Sequence, residues 1–288
     1  MKKNFLFISS FILKIIAFVL MTLDHVGIFL IPIGGKAQVV GEIFRLFGRF
    51  AFPLFVLMLV EGVRHTHSFA KYALRLGIVA TIVMIAQIVI YYFFDSDMGA
   101  YSPLLDLLCY GTILYLLSRK DKFSYLAIIP FAVVAGSFAV GIVEQTTNLT
   151  VEWFPIYLRS GYNIFGLIMA IMMYYSYPLL KKLFVSYHMD AEDYEKGVTF
   201  RFYLNVLFSF AVLFAVVVIY LIAKIPNCDL FGVNTDNYSE TWALLAIPII
   251  MFYSGKQGYK SKWFQYASYL YFPVHLVIIY AIFYLMAL

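Results

Sequence analysis

The stretch FILKIIAFVLMTLDHVGIFLIPI, residues 11–33, decides how the rest of the chain is read. It exceeds the roughly 20 apolar residues that carry a helix across a bilayer, and its interruptions are Lys14, Asp24 and His25. The preceding Met1-Lys2-Lys3 resembles the start of a secretory signal, but no small-residue cleavage site follows. The run is therefore expected to remain as a first membrane helix.

The composition extends that reading to the whole chain. Of 288 residues, 63% are hydrophobic and 13% charged, with a mean hydropathy of +0.86. Soluble chains run near half apolar and a quarter charged, and one soluble core of this size cannot hide so much apolar surface. The apolar runs are continuous rather than alternating, which argues against a barrel. Nine runs serve as spans: about 11–33, 47–63, 72–94, 103–118, 123–143, 160–180, 202–224, 241–254 and 263–286. The second, fourth and eighth are short. The expected fold is an all-α, polytopic transmembrane bundle forming a single domain over 1–288, with lipid as its first partner.

Loop charges orient this bundle, because cytoplasmic loops carry the excess of Lys and Arg. With the N-terminus inside, the inner loops hold fifteen of the 21 basic residues, in groups such as Arg64, Lys71 and Arg75, or Lys256, Lys260 and Lys262. The outer side keeps Lys36, Arg45, Arg49, Arg159 and Lys224. The net charge of +5 is thus loop chemistry, and no nucleic-acid partner is expected. Cys109 and Cys228 are too few for a disulfide framework.

Function is sought where polar groups lie at membrane depth, since each costs free energy there. Lys14 and His25 are eleven residues apart, about three turns, so both point to one face. Asp24 beside His25 makes a workable general base if the acid orients the ring, although neighbours on a helix diverge by about 100°. A structural Asp–Arg pair with a packed histidine is the other reading. Arg49, in the second span, needs an anion, and Asp24 is the natural candidate. Pro53 is expected to kink or break that span, which continues to Glu61. Arg64, His65, His67, Lys71 and Arg75 at its inner end suit phosphates, or simply reflect the positive-inside bias. His65 and His67 alone are a weak metal signal, so no metal is expected. In the last span His275 follows Pro273, as a packed histidine or as part of the site. Gln87, Asp106, Asn163 and Asn205 suit hydrogen bonds between helices.

Three blocks carry a resemblance: LKIIAFVLMTLDHVG (13–27), GRFAFPLFVLMLVEGVRHTHSFAKYALRLG (48–77) and KWFQYASYLYFPVHLVIIY (262–280). They resemble the TraX family, named for a conjugation-system protein that N-acetylates pilin. That family is similar in turn to wider membrane acyltransferases, among them the acyltransferase family 3 proteins, in which a basic residue, ten positions and a histidine mark the first helix. Lys14 and His25 have that spacing, with lysine where arginine is usual; lysine cannot make the bidentate fork of arginine. The resemblance implies an acetyltransferase of the bacterial cytoplasmic membrane with acetyl-CoA as donor. His25 would be the general base, with Asp24 beside it. Lys14, Arg64, His65, Lys71 and Arg75 would hold the donor. Arg49, Glu61 and His275 would line the acyl or acceptor site, for a small-molecule, peptide or glycan acceptor. A transporter or lipid flippase using the same buried charges, or a non-catalytic part of a conjugation or secretion machine, is the alternative.

Overall fold

A computed structural model describes residues 5–94, 103–119, 121–186, 197–223 and 240–287. Among these residues the chain is helical, with no strand beyond one isolated bridge, Ile8 to Tyr253. The helices are α1 (Ser10–Leu30), α2 (Gly35–Gly48), α3 (Ala51–His65), α4 (Phe69–Phe94), α5 (Pro103–Ser118), α6 (Ile128–Thr147), α7 (Asn163–Ser186), α8 (Val198–Ala223), α9 (Ile247–Met251) and α10 (Lys262–Ala287). Among the described residues, seven helical segments are long and apolar enough to cross a membrane. Two shorter apolar stretches, Pro103–Ser118 and Glu240–Met251, coincide with the fourth and eighth sequence runs.

The second run differs from its expected bounds. It begins at Gly35, not near 47, and α2 and α3 together form a 31-residue crossing. The charges of residues 36–49 disguised its first half, and the structure gives two of them polar partners. Gln38 Nε2 donates to Glu42 (3.0 Å), and Arg45 donates to Asp24 (2.7 Å). The break between α2 and α3 falls at Arg49 and Phe50. Pro53 lies in the first turn of α3, where a missing N–H costs nothing, while its ring excludes a helical bond to the carbonyl of Arg49. The proline thus ends one helix by starting the next.

Local signals set the other boundaries. The Ser9 hydroxyl caps α1 by accepting from the Ile12 N–H (3.3 Å), and Gly34 turns the chain at φ +80°. Asp106, fully buried in the first turn of α5, accepts from the Ser160 hydroxyl and from the backbone N–H groups of Gly161 (3.2 Å) and Tyr162 (3.1 Å). One carboxylate therefore caps the entry to α7 from a neighbouring helix. Asn205 likewise donates to the carbonyls of Tyr253 (2.7 Å) and Met251 (3.3 Å), as expected for polar groups joining helices.

Helix α1 packs most extensively on α2, and α7 on α8. Helix α3 lies in the centre, with Leu54, Val56, Leu57 and Val60 fully buried. Helix α10 is peripheral, touching α1 and α4. The start of α1 is tied to the segment before α10 by backbone bonds from Ile8 to Phe252 (3.0 Å) and from Ser10 to Lys256 (2.8 Å). Asp95 to Asp97, Cys228 and the 234–236 segment lie outside the described residues; Cys109 is buried in α5.

Candidate active site

Helix α10 runs beside α1 in the same direction, and the contacts keep a nearly constant register. Lys14 Nζ lies 5.5 Å from the centroid of the Phe264 ring. The Thr22 and Tyr271 hydroxyls are 2.6 Å apart, and His25 Nδ1 is 3.2 Å from His275 Nε2. Lys14 and His25 are eleven residues apart, and so are Phe264 and His275. Eleven residues make three turns with little drift, so each helix brings both positions to one face and the two faces meet. Aromatic rings fill the seam. Tyr271 stacks on Phe18 (4.3 Å), His275 stacks on Tyr271 (5.1 Å), and Phe272 meets the His25 ring edge-on (6.2 Å).

The histidines read separately from the sequence are therefore partners. Asp24 points elsewhere: it pairs with Arg45 at 2.7 Å, not with Arg49 and not with the His25 ring. Arg49 instead pairs with Glu240 at 3.0 Å, both largely buried. The expected Asp24–Arg49 pair is corrected by geometry. Arg45, one turn before Gly48 on α2, faces Asp24, and a Cβ at Gly48 would collide with the Asp24 side chain. Three buried polar atoms at these two pairs, Asp24 Oδ1, Arg49 Nε and Glu240 Oε2, have no protein hydrogen-bond partner.

At the other end of the bundle Glu61 is committed to a structural cluster. It accepts from Arg201 (2.6 Å) and from the Tyr177 hydroxyl (2.7 Å), while His65 Nε2 lies 3.2 Å away. Arg64 covers the Tyr177 ring at 3.7 Å, and Arg201 covers the Tyr253 ring at 4.3 Å. Lys71 and Arg75 are exposed on the first turns of α4. A division among the basic residues follows. Arg45, Arg49, Arg159 and Arg201 have carboxylate partners, and none is found for Lys14, Arg64, Lys71 or Arg75 among the described residues. Lys14 is the partly buried member nearest the seam, and Arg64 Nε is buried without a hydrogen bond. Unpaired cations in an apolar setting favour an anion.

No group of three or more His, Cys, Asp or Glu side chains suited to a metal occurs among the described residues. Sequence reasoning missed Thr22, Tyr271, Tyr177, Arg201 and Glu240 as members of these clusters. One signal was present: the eleven-residue interval of Lys14 and His25 recurs from Phe264 to His275.

Comparison with known proteins follows the same segments. The family model described as TraX protein matches residues 9–165 and 179–283. The probable fimbrial assembly protein FimC, serogroup H1, of Dichelobacter nodosus is 25% identical over 272 residues, which is 94% of this chain and 94% of that one. No solved structure matches.

Proposed function

The chain belongs to the TraX family, and on that premise we propose that it is an integral membrane acetyltransferase of the bacterial cytoplasmic membrane. It moves an acetyl group from acetyl-CoA to an amine or hydroxyl. One observation carries the reading: the α1–α10 seam holds a cation without a carboxylate at one end and two imidazoles further in. The eleven-residue interval between Lys14 and His25 rises roughly 16 Å, comparable to the reach of a phosphopantetheine arm. The donor's phosphates sit at the basic-loop end, near Lys14, Arg64, Lys71 and Arg75, and its thioester reaches His25.

The chemistry then balances as general base catalysis. His25 takes a proton from the acceptor amine or hydroxyl as that atom attacks the thioester carbonyl. The tetrahedral intermediate expels the CoA thiolate, breaking the C–S bond, and His25 returns the proton to sulfur. The Asp24–Arg45 pair holds the turn that carries His25, and Glu61 holds the inner end of α3. The relative named for fimbrial assembly makes the N-terminal amine of a pilin-type subunit the first acceptor to try.

The donor is tested without knowing the acceptor. Purified protein in detergent should bind acetyl-CoA saturably, and Lys14→Ala and Arg64→Ala should weaken that binding several-fold. His25→Ala should still bind the donor but lose transfer by roughly 100-fold or more. No binding by folded protein, or substrate flux without acetyl-CoA consumption, would overturn the reading in favour of transport.

A further inference from the structure

The geometry points to His275 as the positioning residue of His25, in a two-histidine dyad that fixes the tautomer of the base and shares its charge. This rests on the proposed acetyl transfer. The argument starts from two backbone carbonyls, which can only accept. His25 Nδ1 lies 2.8 Å from the Met21 carbonyl, so that nitrogen carries the proton. His275 Nδ1 lies 2.8 Å from the Tyr271 carbonyl, so it too is an N–H. Neutral His275 then has a bare Nε2, and that is the atom 3.2 Å from His25 Nδ1. The His25 N–H is shared between the Met21 carbonyl and His275 Nε2, which leaves His25 Nε2 as the free base nitrogen.

The dyad does what a carboxylate does in other general-base pairs. When His25 Nε2 takes the acceptor's proton, its Nδ1–H becomes a charge-assisted donor to His275. If that proton crosses to His275 Nε2, the positive charge moves onto a ring stacked on Tyr271 at 5.1 Å, whose π face favours a cation. The proton balance is closed, one taken from the acceptor and one returned to the departing thiolate. A neutral partner also suits the site. His275 is only 6% exposed, and a carboxylate there would be costly to bury, whereas Asp24 is already engaged by Arg45.

Imidazole nitrogen NMR on the 15N-histidine-labelled full chain in detergent reads the tautomers without turnover. Single His25 and His275 variants provide the assignments. The expected spectrum has His25 protonated on Nδ1 and bare on Nε2, with a scalar coupling across the bond to His275 Nε2. A His25 proton on Nε2, or no coupling, would overturn the dyad while leaving the acetyltransferase reading intact. Release of CoA from acetyl-CoA, with water as acceptor, gives the second arm. His275→Ala should lower kcat roughly tenfold to a hundredfold with KM for acetyl-CoA within about twofold. His275→Gln, whose amide oxygen reaches the place of Nε2, should recover most of that loss. Equal rates for His275→Ala and wild type would also sink the dyad, whereas His25→Ala at the wild-type rate would sink the acetyltransferase reading itself.

Discussion

At the scale of single residues, a buried charge is read correctly only with its partner. Glu61 is placed at the acyl or acceptor site by the resemblance alone. The structure gives it Arg201, 140 positions later, at 2.6 Å. Nothing local in the sequence announces such a pair, because it joins the end of α3 to the start of α8. Removing one member strands the other in a low-dielectric place, a change that costs about 3 kcal/mol or more. Arg201→Met should therefore lower the unfolding temperature in detergent markedly, and adding Glu61→Gln should restore much of it. An unchanged melting temperature in the single variant would show that the cluster is not a structural anchor. The histidines teach the reverse lesson. His25 and His275 were each legible as polar groups at depth, but their meeting needed the register of α1 against α10, which appears in the sequence only as a repeated eleven-residue interval.

At the scale of elements, close approach of backbones decides where the charged groups land. A Cβ on Gly27 of α1 would come within 2.6 Å of the Gly41 carbonyl oxygen, and one on Gly41 within 2.9 Å of the Gly27 oxygen. Small residues at such crossings let membrane helices pack backbone to backbone. Gly41 and Gly48 are seven residues apart, two turns, and both face α1. This stripe brings Arg45 to Asp24 and fixes the turn that ends in His25. Gly41→Leu should push α2 off α1, at a cost of roughly 1 to 3 kcal/mol. It should also reduce acetyl transfer by more than it weakens donor binding, since Lys14 lies farther along α1. Comparing donor affinity with turnover in that one variant checks the claim, and equal losses in both would refute it. The sequence did not reveal α2 because Lys36, Glu42 and Arg45, with Arg49 just beyond its end, gave it the look of a loop. Paired charges inside a helix imitate solvent-exposed ones when hydropathy is the sole guide.

At the scale of the whole molecule, the contacts sort the ends of the helices into two layers. Residues 8–10, Glu61, Arg201 and the 252–257 segment meet at one end. Asp24, Arg45, Arg49, Glu240 and the Ser160–Tyr162 turn held by Asp106 lie toward the other. The first layer holds the ends of the basic loops that the charge bias assigns to the cytoplasm, so packing and charge agree on which loops share a side. The span pattern was legible because hydropathy follows directly from the lipid solvent, whereas the order of helices around α3 was not, since lipid-facing and protein-facing positions are equally apolar. Which compartment each layer faces is open to a direct test. In a background with Cys109→Ala and Cys228→Ser, single cysteines at Gln257 and at Thr150, in the segment between α6 and α7, report the two sides. A membrane-impermeant maleimide applied to intact cells should label Thr150→Cys and spare Gln257→Cys until the membrane is opened. Labelling at Gln257 in intact cells would invert the bundle. The unpaired Lys14, Arg64, Lys71 and Arg75 would then face away from the cytosolic acetyl-CoA pool, and the proposed donor site would fall with them.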